Sequence, residues 1–192
     1  MDFVVLPEVR QAVQAYADQL VYGYAYASDV LIESVQGWEA TQHSYHFNKE
    51  ALIFIEGVVP AISTAIQAFI KEGEAVLINT PVYPPFARSV KLNNRRLITN
   101  SLVEKDGLLE IDFDQLEKDL VDENVKLYIL CNPHNPGGCV WEREVLKRLV
   151  ISAKNMVFCW FQMRFTKIWL SLITNTSLST PLIPPLKTSP LS

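Results

Sequence analysis

Beyond Glu144 the chain carries no acidic residue at all. Residues 145–192 contain neither aspartate nor glutamate, and leucine, serine, threonine and proline dominate them. That composition sets the stretch apart from everything before it, where both charge signs are mixed. Cysteine is scarce: three residues, with no paired spacing, argue against a disulfide framework or a zinc site and fit a reducing compartment. There is no basic excess either, since the formal net charge is −4, so nothing points to nucleic acid or to an anionic membrane surface. The start, Met1-Asp2-Phe3, lacks the basic n-region and long apolar core of a secretory signal, and the chain reads as cytoplasmic. The apolar stretch 156–173 is interrupted near its middle by Arg164 and Lys167. Each would cost about 3 kcal/mol at the centre of a bilayer, which argues against a membrane span.

What is present suits one ordinary domain with a real core: 192 residues, 49% hydrophobic and 20% charged. Val9, Val13, Ala17 and Leu20 at helical spacing behind Pro7 predict a first helix to about Leu20. A tyrosine-rich loop, Tyr22-Gly23-Tyr24-Ala25-Tyr26, follows, and Ser28 or Asp29 is placed to cap a second helix to Gly37-Trp38. His43 and His46 then fall in a polar loop, without a helix beneath them or a carboxylate at useful spacing, and read as surface or packing histidines rather than metal ligands. From residue 51 the pattern alternates. Strands are expected at 51–55, 75–79, 95–99 and 125–130, a turn at Gly107, and helices after Gly57, to about Leu92, from Asp112 to Leu120, and from about Glu142. Strands separated by helices of this length imply a mainly parallel sheet.

The stretch most suggestive of chemistry is Cys131-Asn132-Pro133-His134-Asn135-Pro136-Gly137-Gly138-Cys139-Val140-Trp141, directly behind the apolar strand that starts at Val125. Pro133 and Pro136 fix φ, while Gly137 and Gly138 permit a sharp turn and the close approach of a ligand. An asparagine amide is thereby held at the carboxyl end of a sheet, where open α/β sheets bind ligands, although a plain strand-to-helix turn uses the same residues. Gly57-Val58-Val59-Pro60-Ala61 at a helix start leaves unpaired backbone N–H groups suited to a phosphate, a weak signal with one glycine. Tyr83, braced in Thr80-Pro81-Val82-Tyr83-Pro84-Pro85-Phe86, offers a ring face to a flat ligand or packs against neighbouring loops. Cys131 and Cys139 read as core and turn cysteines.

Taken together, these segments resemble the class I/II aminotransferase superfamily, and within it the cystathionine β-lyase and cysteine-S-conjugate β-lyase branch, over roughly residues 1–153. The resemblance implies an α/β, three-layer, mainly parallel sheet of a pyridoxal 5′-phosphate-dependent transferase large domain. It implies a β-elimination of cystathionine or cysteine S-conjugates to pyruvate, ammonia and a thiol, with a class I/II aminotransferase as runner-up. It further implies that Val58 and Val59 offer backbone N–H groups to the cofactor phosphate, that Tyr83 stacks on the pyridine ring, and that Asn135 hydrogen-bonds the ring hydroxyl oxygen. Tyr24 would reach the phosphate held by the partner subunit of a homodimer.

The same resemblance asks for parts that cannot be assigned here: a strand ending in Ser-Asp-Glu-Ile-His, the Schiff-base lysine, a small domain with a carboxylate-binding arginine, and a segment ahead of Met1. Catalytic residues are therefore expected to be absent from this chain. Read from the third base of plausible codons, Lys154 through Arg164 becomes Glu-Tyr-Gly-Val-Leu-Leu-Val-Ser-Asp-Glu, and the next residues become Ile-His. The expected organisation is thus 1–50 as a helical segment with the dimer and cofactor loop, 51–153 as a partial cofactor domain, and 154–192 as an out-of-frame tail, poorly ordered from about Asn175, its apolar part sticking to exposed sheet edges. An incomplete sheet, with the apolar faces of Ile53, Leu77 and Ile129 lacking partners, is the expected consequence. A non-catalytic fragment, free or bound to an intact homologous subunit through residues 22–26, is the other function class.

Overall fold

The computed structural model describes residues 4–153, 157–164 and 167–173. Two helices come first, α1 (Pro7–Ala17) and α2 (Asp29–His43), then a 3-10 turn at Lys49–Ala51 and α3 (Val58–Phe69). There follow β1 (Ala75–Thr80), α4 (Pro85–Leu92), β2 (Arg96–Lys105), β3 (Leu108–Ile111), α5 (Phe113–Asp122), β4 (Val125–Asn132), α6 (Arg143–Ser152), β5 (Val157–Arg164) and β6 (Lys167–Ile173). Among the described residues the strands form one sheet in the order β3-β2-β1-β4-β5-β6. The pairs β1/β2, β1/β4 and β4/β5 are parallel, while β2/β3 and β5/β6 are antiparallel. This is the three-layer, mainly parallel α/β arrangement expected.

Because side chains alternate along a strand, β1 supplies both faces of the sheet at once. Val76 and Ile78 point to the layer of α3 and α4, where Ala61, Ile62, Ala65, Ile66, Phe86 and Val90 meet them. Ala75 and Leu77 point to the layer of α5 and α6, against Leu116, Leu120, Leu146 and Leu149. In β4, Leu127 and Ile129 take the first face and Tyr128 and Leu130 the second. Val125 shares the face of Tyr128 only because the register against β1 slips between Ala75 and Val76, skipping Lys126. A strand buried on both faces reads as a continuous run without charge, as 127–131 does once Lys126 is passed.

One polar thread crosses this apolar sheet. The Tyr128 hydroxyl donates to Asn79 Oδ1, Asn79 Nδ2 donates to Asn100 Oδ1 at 3.0 Å, and Asn100 Nδ2 donates to Asp119 Oδ2 at 2.9 Å. Gln115 Nε2 closes the chain on Asp119 Oδ1 at 2.7 Å. Four elements, β4, β1, β2 and α5, are thereby tied by side chains, and burial pushes the Tyr128 phenol far above its usual range, so it stays protonated.

Several expectations are corrected. Residues 51–55 form no strand: β1 already has β2 and β4 as neighbours, so no interior edge is free for them, and Ile53, Phe54 and Ile55 are exposed. Leu77 and Ile129 do not lack partners; both are fully buried, because helices within residues 58–152 cover both faces of β1 and β4. His43 lies not in a loop but at the last turn of α2, with the Glu39 carboxylate one turn earlier at 4.0 Å. Ser28, not Asp29, caps α2, its hydroxyl accepting from Leu31 N at 3.2 Å. The apolar part of the 154–192 tail does lie on a sheet edge: β5 runs parallel beside β4, from Leu127 opposite Val157 to Asn132 opposite Gln162, and β6 pairs antiparallel with β5. The segment from Asn175 falls outside the described residues.

Candidate functional site

Three loops meet at the carboxyl ends of β1 and β4. The first is the start of α3. Gly57 precedes it with φ 116° and ψ 173°, a conformation open essentially to glycine alone, and nothing lies within 4 Å of where its Cβ would stand. Helix geometry leaves the first N–H groups without intrahelical partners; Pro60 has none to offer and Ala61 N is taken by Gly57 O at 3.2 Å. The amides of Val58 and Val59 are thus the donors at this positive helix end, a setting that favours a phosphate. The Val58 side chain packs on the same core face as Tyr83 and Val82, which fixes the helix start beside the second loop.

The second loop follows β1. Tyr83 is half-buried, and its ring meets that of Phe86 edge-on at 6.4 Å and 75°. Its backbone is held on both sides: the Tyr83 carbonyl accepts from Phe86 N at 3.0 Å, and the Tyr83 N–H donates to the Asn135 carbonyl at 2.8 Å. This last bond joins the second loop to the third. The ring residue and the asparagine residue therefore sit side by side, with Asn135 itself exposed.

The third loop, after β4, is closed on itself. His134 N donates to Cys139 O at 2.7 Å and Gly138 N to His134 O at 2.8 Å. Trp141, almost fully buried, fastens the far end: its backbone N–H reaches Asn132 Oδ1 at 3.1 Å and its indole Nε1 reaches Cys131 O at 3.0 Å. Asn132, His134 and Trp141 are scaffold residues that sequence reasoning missed. The signal was present, a second asparagine three residues before Asn135 and a tryptophan just past the glycines, but their partners are nine or ten residues away and no local pattern encodes such a bond. Burial raises the thiols of Cys131 and Cys139, so both are protonated at neutral pH and neither is a poised nucleophile. No group of three or more His, Cys, Asp or Glu suited to a metal occurs among the described residues.

Val58, Val59, Tyr83 and Asn135 are therefore brought together within this chain, whereas Tyr24 is not. It projects from the 18–28 segment, 96% exposed, and no described hydrogen bond or ring contact joins its side chain to the three loops. No described helix is long and apolar enough to cross a membrane.

Comparison with known proteins places this geometry. Residues 1–159 match the family described as aminotransferase class I and II. The cystathionine β-lyase PatB of Bacillus subtilis is 42% identical over 149 residues, 78% of this chain and 38% of PatB. The structure of cystalysin from Treponema denticola, which contains a pyridoxal 5′-phosphate cofactor, aligns with a TM-score of 0.77 at 35% identity, covering 82% of this chain and 41% of cystalysin. The C–S lyase of Staphylococcus hominis, solved bound to the same cofactor, aligns with a TM-score of 0.79 at 29% identity, over 83% of this chain and 42% of the lyase. The chain spans about two fifths of the length of these relatives. It belongs to the class I and II aminotransferase family and is most like the cystathionine β-lyase branch within it.

Proposed function

We propose that this chain is the cofactor-binding part of a pyridoxal 5′-phosphate-dependent carbon–sulfur β-lyase that acts on cystathionine or cysteine S-conjugates in the cytoplasm. The observation that supports it most is the hydrogen bond from Tyr83 N–H to the Asn135 carbonyl, which sets a flat aromatic face beside an exposed amide, while Val58 at the start of α3 packs on the same core cluster as Tyr83. That donor set fits the cofactor's three demands: amides and a helix end for a phosphate dianion, a ring face for a pyridine, and an amide N–H for a ring oxygen. When bound, the cofactor supplies an electron sink for negative charge at the amino-acid α carbon.

In this reading the chain's residues bind and orient. Val58 and Val59 hold the phosphate, Tyr83 fixes the plane of the ring, and Asn135 fixes its rotation by donating to the ring oxygen. Tyr24 reaches the phosphate of a second copy, because its loop and the apolar residues of α1 are exposed in a single chain. Residues 1–50 then form the dimer and cofactor arm, 51–153 the cofactor domain, and 154–192 a tail in a different frame.

Titrating the purified chain with pyridoxal 5′-phosphate tests the reading. Binding that weakens in Asn135→Ala and is not trapped on a lysine by borohydride is the expected outcome. No binding by the wild-type chain overturns the cofactor site, and a reducible lysine adduct together with pyruvate release from cystathionine overturns the expectation that this chain does not turn over on its own. Sequencing the gene from the codon of Ala153 onward tests the frame: a second frame closed across this stretch refutes it.

A further inference from the structure

Pro133 and Pro136 leave the turn after β4 short of backbone donors, so few bonds remain to hold its shape. Pairing of β4 with β1 stops at Ile129 opposite Ile78, three residues before Asn132. One residue closes the turn. Trp141 donates twice to consecutive positions on the opposite limb, from its indole Nε1 to the Cys131 carbonyl at 3.0 Å and from its backbone N–H to Asn132 Oδ1 at 3.1 Å. Two bonds from different parts of one residue fix an orientation, which a single bond does not. The ring is anchored in turn: 4% exposed, it shares a core cluster with Ile111, Leu130, Leu146 and Leu149. The interior of the turn is full, since the His134 ring lies 5.5 Å from the indole and a Cβ on Gly137 would stand 2.6 Å from His134 Nδ1 and 2.8 Å from Leu109 Cδ1. Asn135 is exposed on this fixed turn, its carbonyl accepting from Tyr83 N at 2.8 Å.

We propose that Trp141 is a positioning residue: as a two-bond latch across the turn, it sets where the Asn135 amide stands against Tyr83. The core holds the indole, the indole holds the limb that leaves β4, and that limb carries Asn135 three residues past Asn132. The indole N–H is the part that phenylalanine does not supply, since its ring would pack without a donor for the Cys131 carbonyl. Trp141 acts through Asn135 rather than on a ligand. That the amide it places meets a cofactor rests on the reading proposed above.

The test is a double-mutant cycle on the full chain, with pyridoxal 5′-phosphate affinity and the exchange rate of the Tyr83 amide as readouts. Trp141→Phe keeps an aromatic ring and removes the indole donor. It is expected to weaken binding about threefold to tenfold and, because it acts through Asn135, to add nothing to Asn135→Ala. Equal weakening in both backgrounds overturns the proposal, as does full affinity in Trp141→Phe. The Tyr83 amide, whose acceptor is the Asn135 carbonyl, is expected to exchange faster by a similar factor while the amides of β1 keep their rates. An unchanged Tyr83 rate overturns the latch, and so does a uniform acceleration, which marks loss of core packing alone. If Trp141→Phe does not fold, Asn132→Ala, which removes the acceptor of the second bond, is read in the same two ways. Failure of the wild-type chain to bind, or of Asn135→Ala to weaken binding, falls on the cofactor reading; the Tyr83 amide then decides the latch by itself.

Discussion

Residues of the same kind meet opposite fates in two parts of this molecule. In the sheet body, 58–153, Ile62, Leu77, Leu127 and Leu130 are sealed from water between helices and strands. In the amino-terminal arm, Val5, Val9, Val13, Leu20 and Tyr24 stand in solvent; α1 buries no residue, and α2 buries only Glu39. Both regions are apolar at helical spacing, so periodicity alone does not decide burial. What decides it is whether the chain brings a second apolar face to the first. The sheet body does this for itself by alternating strand and helix, and the arm has no such face among the described residues.

The difference can be broken or sharpened by substitution. Ile62→Ala should lose about 2–5 kcal/mol in denaturant titration, because a fully buried side chain leaves a cavity behind. Val13→Ala in the arm should change stability by less than about 0.5 kcal/mol at low protein concentration. An equal loss at both sites would erase the contrast, and a loss at Val13 that grows with concentration would show the arm covered by a second copy. Asn79→Leu should cost about 1–3 kcal/mol, since it strips the Tyr128 hydroxyl and the Asn100 amide of buried partners. Gly57→Ala should cost about 1–3 kcal/mol from backbone strain alone, with nothing nearby to clash, and should weaken phosphate binding with it. In the arm, Ser28→Ala should cost about 1 kcal/mol of local helix stability, visible as faster exchange at Leu31 and little change elsewhere.

The smallest expected effect is one of pH. Burial lowers the pKa of His134 from its ordinary value of 6.5, so the folded chain binds fewer protons there than the unfolded one. Its contribution is full above pH 6.5 and is lost as pH falls toward the lowered value. Unfolding titrations between neutral and mildly acid pH should show this slope in wild type, and His134→Gln should flatten it. A slope unchanged by that substitution would place the titrating group elsewhere.

Much of the sheet body was legible in the sequence. The strands at 75 and 125, the helices between them and the loop after Leu130 stand close to where periodicity puts them, because each is buried by its chain neighbours. The misreadings have a common cause. Residues 51–55 look like a strand, but a strand needs a partner and β1 had none to spare. The hairpin from β2 to β3 was read as a strand and a turn, since four residues of β3 are too few to show alternation and their pairing with 102–105 is tertiary. At the site, the strand-then-helix alternation that brings Val58, Tyr83 and Asn135 to one end was readable. The fastening of that end by Asn132, His134 and Trp141 was not, because it is made of contacts across the turn.

The polar thread through Tyr128, Asn79, Asn100 and Asp119 has a consequence for how the sheet assembles. An apolar sheet tolerates slipping by two residues, since the same faces stay inward and one aliphatic contact replaces another. Here a slip of any one strand would strand amides or a phenol in a dry interior, at a penalty no new contact would offset. The four elements must therefore arrive in a single alignment or not at all, which couples the packing of α5 at the far side to the placement of β4. Through β4, the thread reaches the turn that carries Asn135: an error of alignment at β2 would be felt at the ligand amide two strands away.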